Sequence, residues 1–161
     1  MLFRSQDITI PFQMSSVEFF TLVKQCLKPG GVMVVNMNMH SDKEGSINYA
    51  LSDTICEVFE NVYTVNVSGS TNRELFASND DAMLSRFQSK TDMLTDEELK
   101  SYMQDVGSRL EIYESEGNVL TDDKAPVELL GMQVIDDLIS KELERYKTVF
   151  KEEGLKGLLE G

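Results

Sequence analysis

Histidine, cysteine, tryptophan and proline are scarce in this chain of 161 residues, which holds one histidine, two cysteines, no tryptophan and three prolines. Because His40 is the single histidine, a His-rich metal site and a conventional Ser-His-Asp triad are both disfavoured. Cys26 and Cys56 lack the CxxC spacing and sit in apolar stretches. We therefore expect two buried free thiols in a protein of a reducing compartment.

Long apolar runs are absent, and basic residues are outnumbered by acidic ones. No stretch reaches the ~18 apolar residues of a membrane span, and residues 1–10 lack the apolar run of a secretion signal. The chain has 15 Lys and Arg and 28 Asp and Glu, so its net charge is −13. Phosphate binding needs a basic surface, so nucleic acid and anionic membranes are disfavoured as partners. We expect a cytoplasmic protein whose charge suits a cationic ligand or only keeps the protein dispersed.

The length predicts one domain over residues 1–161, since most domains hold roughly 100–150 residues. Up to about residue 80, the apolar pattern alternates between helix and strand periods. Residues 1–14 are expected to be an irregular lead-in. The predicted elements are a helix between the capping box Ser15–Glu18 and the Pro29-Gly30-Gly31 turn, a strand over Val32–Asn38, a helix over 46–60, and a hairpin of Asn61–Val67 and Arg73–Ala77.

The strand Val32–Asn38 is continuously apolar at its start, which indicates burial on both faces, as in an α/β sheet. A sheet of about three strands leaves one edge of this strand open, and no lysine or proline protects it. A second copy, another polypeptide or a stretch of this chain assigned to loop must cover that edge. We expect a homo-oligomer, of which a dimer is the simplest form.

Residues 81–161 are predicted to be a mostly helical extension. A second capping box, Thr95–Glu98, opens one helix, and a long amphipathic helix runs from about Val127 to Glu153. The apolar stripe of the long helix either packs on its own domain or binds a partner. The predicted fold class is thus α/β, with a partial sheet that ends in an antiparallel hairpin and is followed by helices.

The turn Lys28–Gly31 and the strand after it resemble the late half of a class I methyltransferase-like Rossmann fold, whose element order residues 7–80 follow. Three segments are more specific: residues 7–12 (DITIPF) with Phe19-Phe20, residues 66–73 (NVSGSTNR) and residues 120–128 (LTDDKAPVE). They resemble the spermidine synthase-like family. The resemblance implies aminopropyl transfer from decarboxylated S-adenosylmethionine to putrescine.

The family's nucleoside-binding motifs precede its fourth strand, and this chain has no counterpart of them. No GxGxxG occurs among its ten glycines. The family's catalytic aspartate would fall near or just before Met1. The resemblance therefore implies a truncated or split transferase that binds no S-adenosyl co-substrate and is inactive alone, with a missing N-terminal half or a second copy as its partner.

A polyamine site needs carboxylates, because each ammonium must exchange water for an anionic partner. We single out Asp7, Asp122 and Asp123, with Gln13 as a polar neighbour. Each has a structural alternative: Asp7 as a solvated loop residue, and the aspartate pair as a cap of the final helix.

Three further residues follow or end the first clear strand, where α/β sheets bind ligands: Asn36, Asn38 and His40. An exposed loop histidine and backbone-bonded asparagines explain them equally well. Two functions stay open, a piece of an aminopropyltransferase and a non-catalytic oligomeric or partner-binding module. An intact methyltransferase is disfavoured by the absent cofactor loop.

Overall fold

The computed structural model describes residues 2–4, 12–38, 46–124, 136 and 139–151. Asp7 and His40 lie outside these residues, so their assignments stay predictions. In the described ranges the strands are β1 (Leu2–Arg4), β2 (Met33–Asn38), β3 (Asn61–Asn66), β4 (Asn72–Ser78) and β5 (Glu111–Ile112). The helices are α1 (Val17–Cys26), α2 (Ile47–Val58), α3 (Met83–Asp92) and α4 (Glu97–Ser108), with a 3-10 turn over Phe12–Met14. Residues 139–151 are also helical.

The strands form one mixed sheet in the order β1-β2-β4-β3-β5. β1 and β2 are parallel, and every other neighbouring pair is antiparallel. The predicted hairpin is confirmed, with Asn61 opposite Ser78 and Asn66 opposite Arg73. The α/β fold class with an antiparallel hairpin is therefore confirmed, although the sheet has five strands in the described residues rather than about three.

β2 is paired along both edges, so the covering segment is a stretch of this chain that the sequence assigned to loop. Residues 2–4, expected to be irregular, form a strand that places Leu2 opposite Val34. The other edge pairs with β4, from Met33 opposite Ala77 onward. Three residues are too few to show a period, so the sequence could not identify β1. The open-edge argument for an oligomer is removed, and the oligomer itself remains a prediction.

The core lies between α1, α2 and one face of the sheet. Alternate strand residues point to this face, and Met33 and Leu75 of the sheet and Ile55 of α2 are fully buried. The other buried apolar members of the cluster are Phe20, Val23, Val35, Met37, Leu51, Val58, Phe59, Val62 and Ala77. Both helices thus cover the same side of the sheet.

Two apolar residues of α1 lie on its solvent side. Leu22 is 61% exposed and Cys26 is exposed, because these residues, four apart, share a stripe that faces away from the core. The expectation of a buried thiol is therefore wrong for Cys26, while Cys56 is partly buried.

Each predicted capping box is displaced by one residue. The cap of α1 is Ser16, whose hydroxyl oxygen accepts from the Phe19 amide at 3.2 Å, and the cap of α4 is Asp96. In a capping box the Glu18 carboxylate would accept from the backbone amide of the cap residue. Here it accepts instead from the amide of Asp122. The cap of α1 is thus set by tertiary contacts as well as local ones.

Candidate functional site

Residues Tyr113–Lys124, here called the strap, cross the outer side of α2 and reach the N-terminus of α1. The strap begins beside β3, where the Tyr113 amide donates to the Val62 carbonyl at 3.0 Å. It ends in a tight turn closed by two backbone bonds between Thr121 and Lys124. This turn carries the two aspartates that the sequence singled out, so the strap is the candidate site.

Asp53 holds the first part of the strap. Its carboxylate is fully buried on α2 and accepts from the Tyr113 hydroxyl at 2.9 Å, the Glu116 amide at 3.1 Å and the Asn118 amide at 2.8 Å. A buried carboxylate is tolerated when donors replace its water, and here two backbone amides and a phenol do so.

Thr54, the next residue of α2, holds the middle of the strap. Its hydroxyl donates to the Ala50 carbonyl at 2.6 Å and accepts from the Leu120 amide at 2.9 Å. The Leu120 carbonyl in turn accepts from the Val17 amide at 2.9 Å. That bond satisfies one of the amides that the start of α1 leaves without an intrahelical partner.

Asp122 joins the turn to the N-terminus of α1. The Ser16 hydroxyl donates to its carboxylate, and its own amide donates to Glu18 at 3.0 Å. A carboxylate is favourable here, because the N-terminus of a helix carries partial positive charge. The aspartate thus bonds the cap residue of α1, while the predicted start of the final helix, which the sequence-based alternative has it cap, lies outside the described residues.

The other singled-out residues are placed as follows. Asp123 is exposed in the turn, and no side-chain bond joins it to the described part of the chain. Gln13 is exposed in the 3-10 turn, three residues before Ser16, so it lies at the same end of α1. Asn36 is half-buried on β2, and its strand position points it away from the core face. The structure therefore brings Gln13 and the aspartate pair to one end of α1.

Two titratable groups beside Asp53 are held neutral. Burial, and then the hydrogen bond to Asp53, raise the pKa of Tyr113, so the phenol remains a donor. Burial and the Asp53 charge raise the pKa of the Cys56 thiol to about 11. Neither group is therefore suited to act as a base or nucleophile near neutral pH.

Other site chemistry is sparse in the described ranges. They contain no group of three or more His, Cys, Asp or Glu side chains placed to bind a metal. None of their helices combines the length and apolar character needed to cross a bilayer. A cleft of about 350 Å³ opens between α1 and α2, where Lys24 already donates to the Val58 carbonyl at 2.9 Å.

Sequence reasoning missed Asp53 and Thr54. Both are fully buried, Thr54 within the apolar stripe of α2 and Asp53 beside it. The available signal was the polar run Ser52-Asp53-Thr54 inside a helix, which an exposed helix face explains equally well.

No protein-family model matches the chain. A protein of Bifidobacterium longum (strain NCC 2705), described as a "Probable polyamine aminopropyl transferase", is 50% identical over 171 aligned positions. The match covers 96% of this chain and 38% of that protein. The crystal structure of a probable spermidine synthase from Corynebacterium glutamicum ATCC 13032 shares 20% identity at a TM-score of 0.39, over 61% of this chain and 41% of that one. A superposition this loose supports no argument.

The sequence similarity to the Bifidobacterium protein extends over 96% of this chain, in which the three family-like segments lie. It spans well under half of that protein. The predicted resemblance to the spermidine synthase-like family is thereby confirmed, over nearly the whole of this chain and only part of the relative.

Proposed function

We propose that this chain is part of a spermidine synthase-like aminopropyltransferase of the cytoplasm, that it contributes to a polyamine site, and that it does not transfer aminopropyl groups by itself. The observation that carries the proposal is the 50% identity to a polyamine aminopropyl transferase over 96% of this chain but 38% of the relative. The absence of GxGxxG from the sequence supports the second part, since the spermidine synthase-like family uses a glycine-rich loop to bind its S-adenosyl nucleoside.

In this proposal the exposed end of α1 faces the polyamine. Asp123 offers a carboxylate for one ammonium, and Gln13 offers an amide oxygen from the preceding turn. Asp122 keeps the turn in place through Ser16 and adds negative charge. Asp7 completes the proposed set. The net charge of −13 favours approach of a dication over that of an anion.

Calorimetric titration of the chain with putrescine, and separately with decarboxylated S-adenosylmethionine, tests both parts. We expect weak putrescine binding and none of the nucleoside. Asp123→Asn should weaken putrescine binding, whereas Glu98→Gln, an equal charge change at an exposed residue of α4, should not. Micromolar binding of the nucleoside by this chain alone would contradict the proposed incompleteness.

A complementation assay tests the role in catalysis. The chain alone should yield no aminopropylated product. Mixing it with the part of the Bifidobacterium relative that it does not match should restore product formation. Turnover by the isolated chain, or silence of the mixture despite a stable complex, would count against the proposal.

A second function, a module that pairs with another copy of itself, is favoured by the helix at residues 139–151. Ile139, Leu143, Tyr146 and Phe150 are each 44–53% exposed, and their spacing of four, three and four is that of a coiled-coil seam. In a parallel pair of such helices, Glu142 of one copy lies across from Lys147 of the other. The flanking charges thus suit a second copy.

Sedimentation velocity separates this module from a monomer. A dimer should be lost with Lys147→Glu, which sets like charges across the seam, and regained with Glu142→Lys added. A monomer at all concentrations excludes the second function and leaves the first unaffected.

A further inference from the structure

The strap is bonded to the helices by alternate amides. The donors are the amides of Glu116, Asn118, Leu120 and Asp122, and the acceptors are side chains of α1 and α2. The intervening amides of Gly117, Val119 and Thr121 bond within the strap instead, so only every second amide is bonded to the helices. The side-chain oxygens of α1 and α2 thus accept from the strap amides as the carbonyls of a neighbouring strand would. They fix which strap residues face away from the helices.

We propose that Asp53 is a positioning residue of the candidate polyamine site: its buried carboxylate sets the register of the strap and thereby the place of the Asp122-Asp123 turn. This inference rests on the proposed function. Asp53 receives two of the four alternate amides, one on each carboxylate oxygen. Glu116 and Asn118 are thus held by a single group, six and four residues before Asp122.

The chemistry of Asp53 explains why a carboxylate stands there. An apolar residue of similar volume would avoid the unfavourable burial of charge but would leave two strap amides without acceptors. The described residues place no lysine or arginine against it, and all three of its donors belong to the strap. The side chain is therefore committed to the strap rather than to an ion pair of the core.

Asp53→Asn is the sharpest test, because it preserves the side-chain volume and replaces one accepting oxygen by an amide NH2 group, which can only donate. We expect the Glu116 and Asn118 amides to exchange with solvent at least tenfold faster, by hydrogen exchange followed by NMR. We also expect putrescine affinity to fall at least fivefold. Tyr113→Phe removes the phenol but keeps both amide bonds, so it should keep both readouts within twofold.

Leu51→Ala is the matched control for a general loss of stability. Leu51 is buried on the same helix and faces the core cluster rather than the strap. It should lower the melting temperature at least as much as Asp53→Asn does, with strap exchange and putrescine affinity unchanged below the transition. Equal loss of affinity in both variants would overturn the positioning role.

The outcomes separate this inference from the proposed function. Unchanged strap exchange in Asp53→Asn overturns the inference, as does faster exchange with unchanged putrescine affinity. If the wild-type chain binds no putrescine, the proposed function fails, and strap exchange alone decides whether Asp53 sets the register. If Asp53→Asn does not fold, Asp53→Glu keeps the carboxylate but moves its oxygens by one methylene group away from the Glu116 and Asn118 amides, and it should give the same two changes.

Discussion

The bond between Ser16 and Asp122 gives a quantitative prediction, because it joins a helix cap to a turn 106 residues away. Ser16→Ala removes the cap of α1, which costs about 1 kcal/mol, and the bond to a carboxylate. A charged hydrogen bond contributes about 1.5–3 kcal/mol. Asp122 is exposed, so water recovers much of that sum. We expect the free energy of unfolding to fall by about 2 kcal/mol.

Asp122→Ala should lower the free energy of unfolding by about 1–1.5 kcal/mol, since it loses the same bond and a carboxylate at a helix N-terminus. The double variant should lose about 2 kcal/mol rather than the sum of the two, a coupling of about 1 kcal/mol. Asp123→Ala is the control and should stay within about 0.5 kcal/mol of wild type, because Asp123 is exposed.

Urea unfolding followed by circular dichroism measures these values. With a slope near 2 kcal/mol per molar urea, Ser16→Ala should shift the midpoint by about 1 M. Additivity of the two single variants to within about 0.3 kcal/mol would show that the side chains do not interact and would refute the bond between Ser16 and Asp122.

Three further predictions concern burial. Leu75→Ala should lower the free energy of unfolding by about 2–5 kcal/mol in urea, because Leu75 is fully buried, whereas Leu22→Ala at a 61% exposed residue should cost below about 0.5 kcal/mol. A thiol reagent at pH 8 should label exposed Cys26 within minutes and spare Cys56. Burial raises the pKa of the Cys56 thiol from 9.0 to about 11, so the free energy of unfolding should fall as the pH rises from 9.0 towards 11. Burial raises the pKa of Glu74, and one of its carboxylate oxygens is buried without a partner in the described residues. Glu74→Gln should therefore raise the free energy of unfolding at pH 7, and this gain should be lost below pH 4.5. Equal stability of the two proteins at pH 7 would contradict this.

The helices and strands from α1 to β4 were accessible to sequence reasoning because their signals are local. Apolar side chains repeat at helix or strand spacing, and the chain between α1 and β2 contains Pro29 and Gly30, of which Gly30 adopts φ +74°. The hairpin follows from loop length alone, because a loop that short cannot connect parallel strands. The similarity to an aminopropyltransferase was likewise readable from the segment at 120–128.

The pairing of β2 and the candidate site depended on tertiary structure. β1 has three residues, and only its place beside β2 makes it a strand. Asp53 and Tyr113 are 60 residues apart, and a polar residue in a helix gives no sign of which distant amides will cover it. The one-residue displacement of the α1 cap has the same origin, since the Ser16 hydroxyl serves Asp122 as well as its own helix.

The sequence by itself thus determined the element order from α1 to β4, the acidic charge, the single histidine and the lack of long apolar runs. Those features depend on composition and on spacings of a few residues. Tertiary structure alone decided which strand covers β2 and which polar groups of α1 and α2 hold the strap. Hydrogen bonds between a side chain and a remote backbone amide have no sequence period, so they become visible only when the chain has folded.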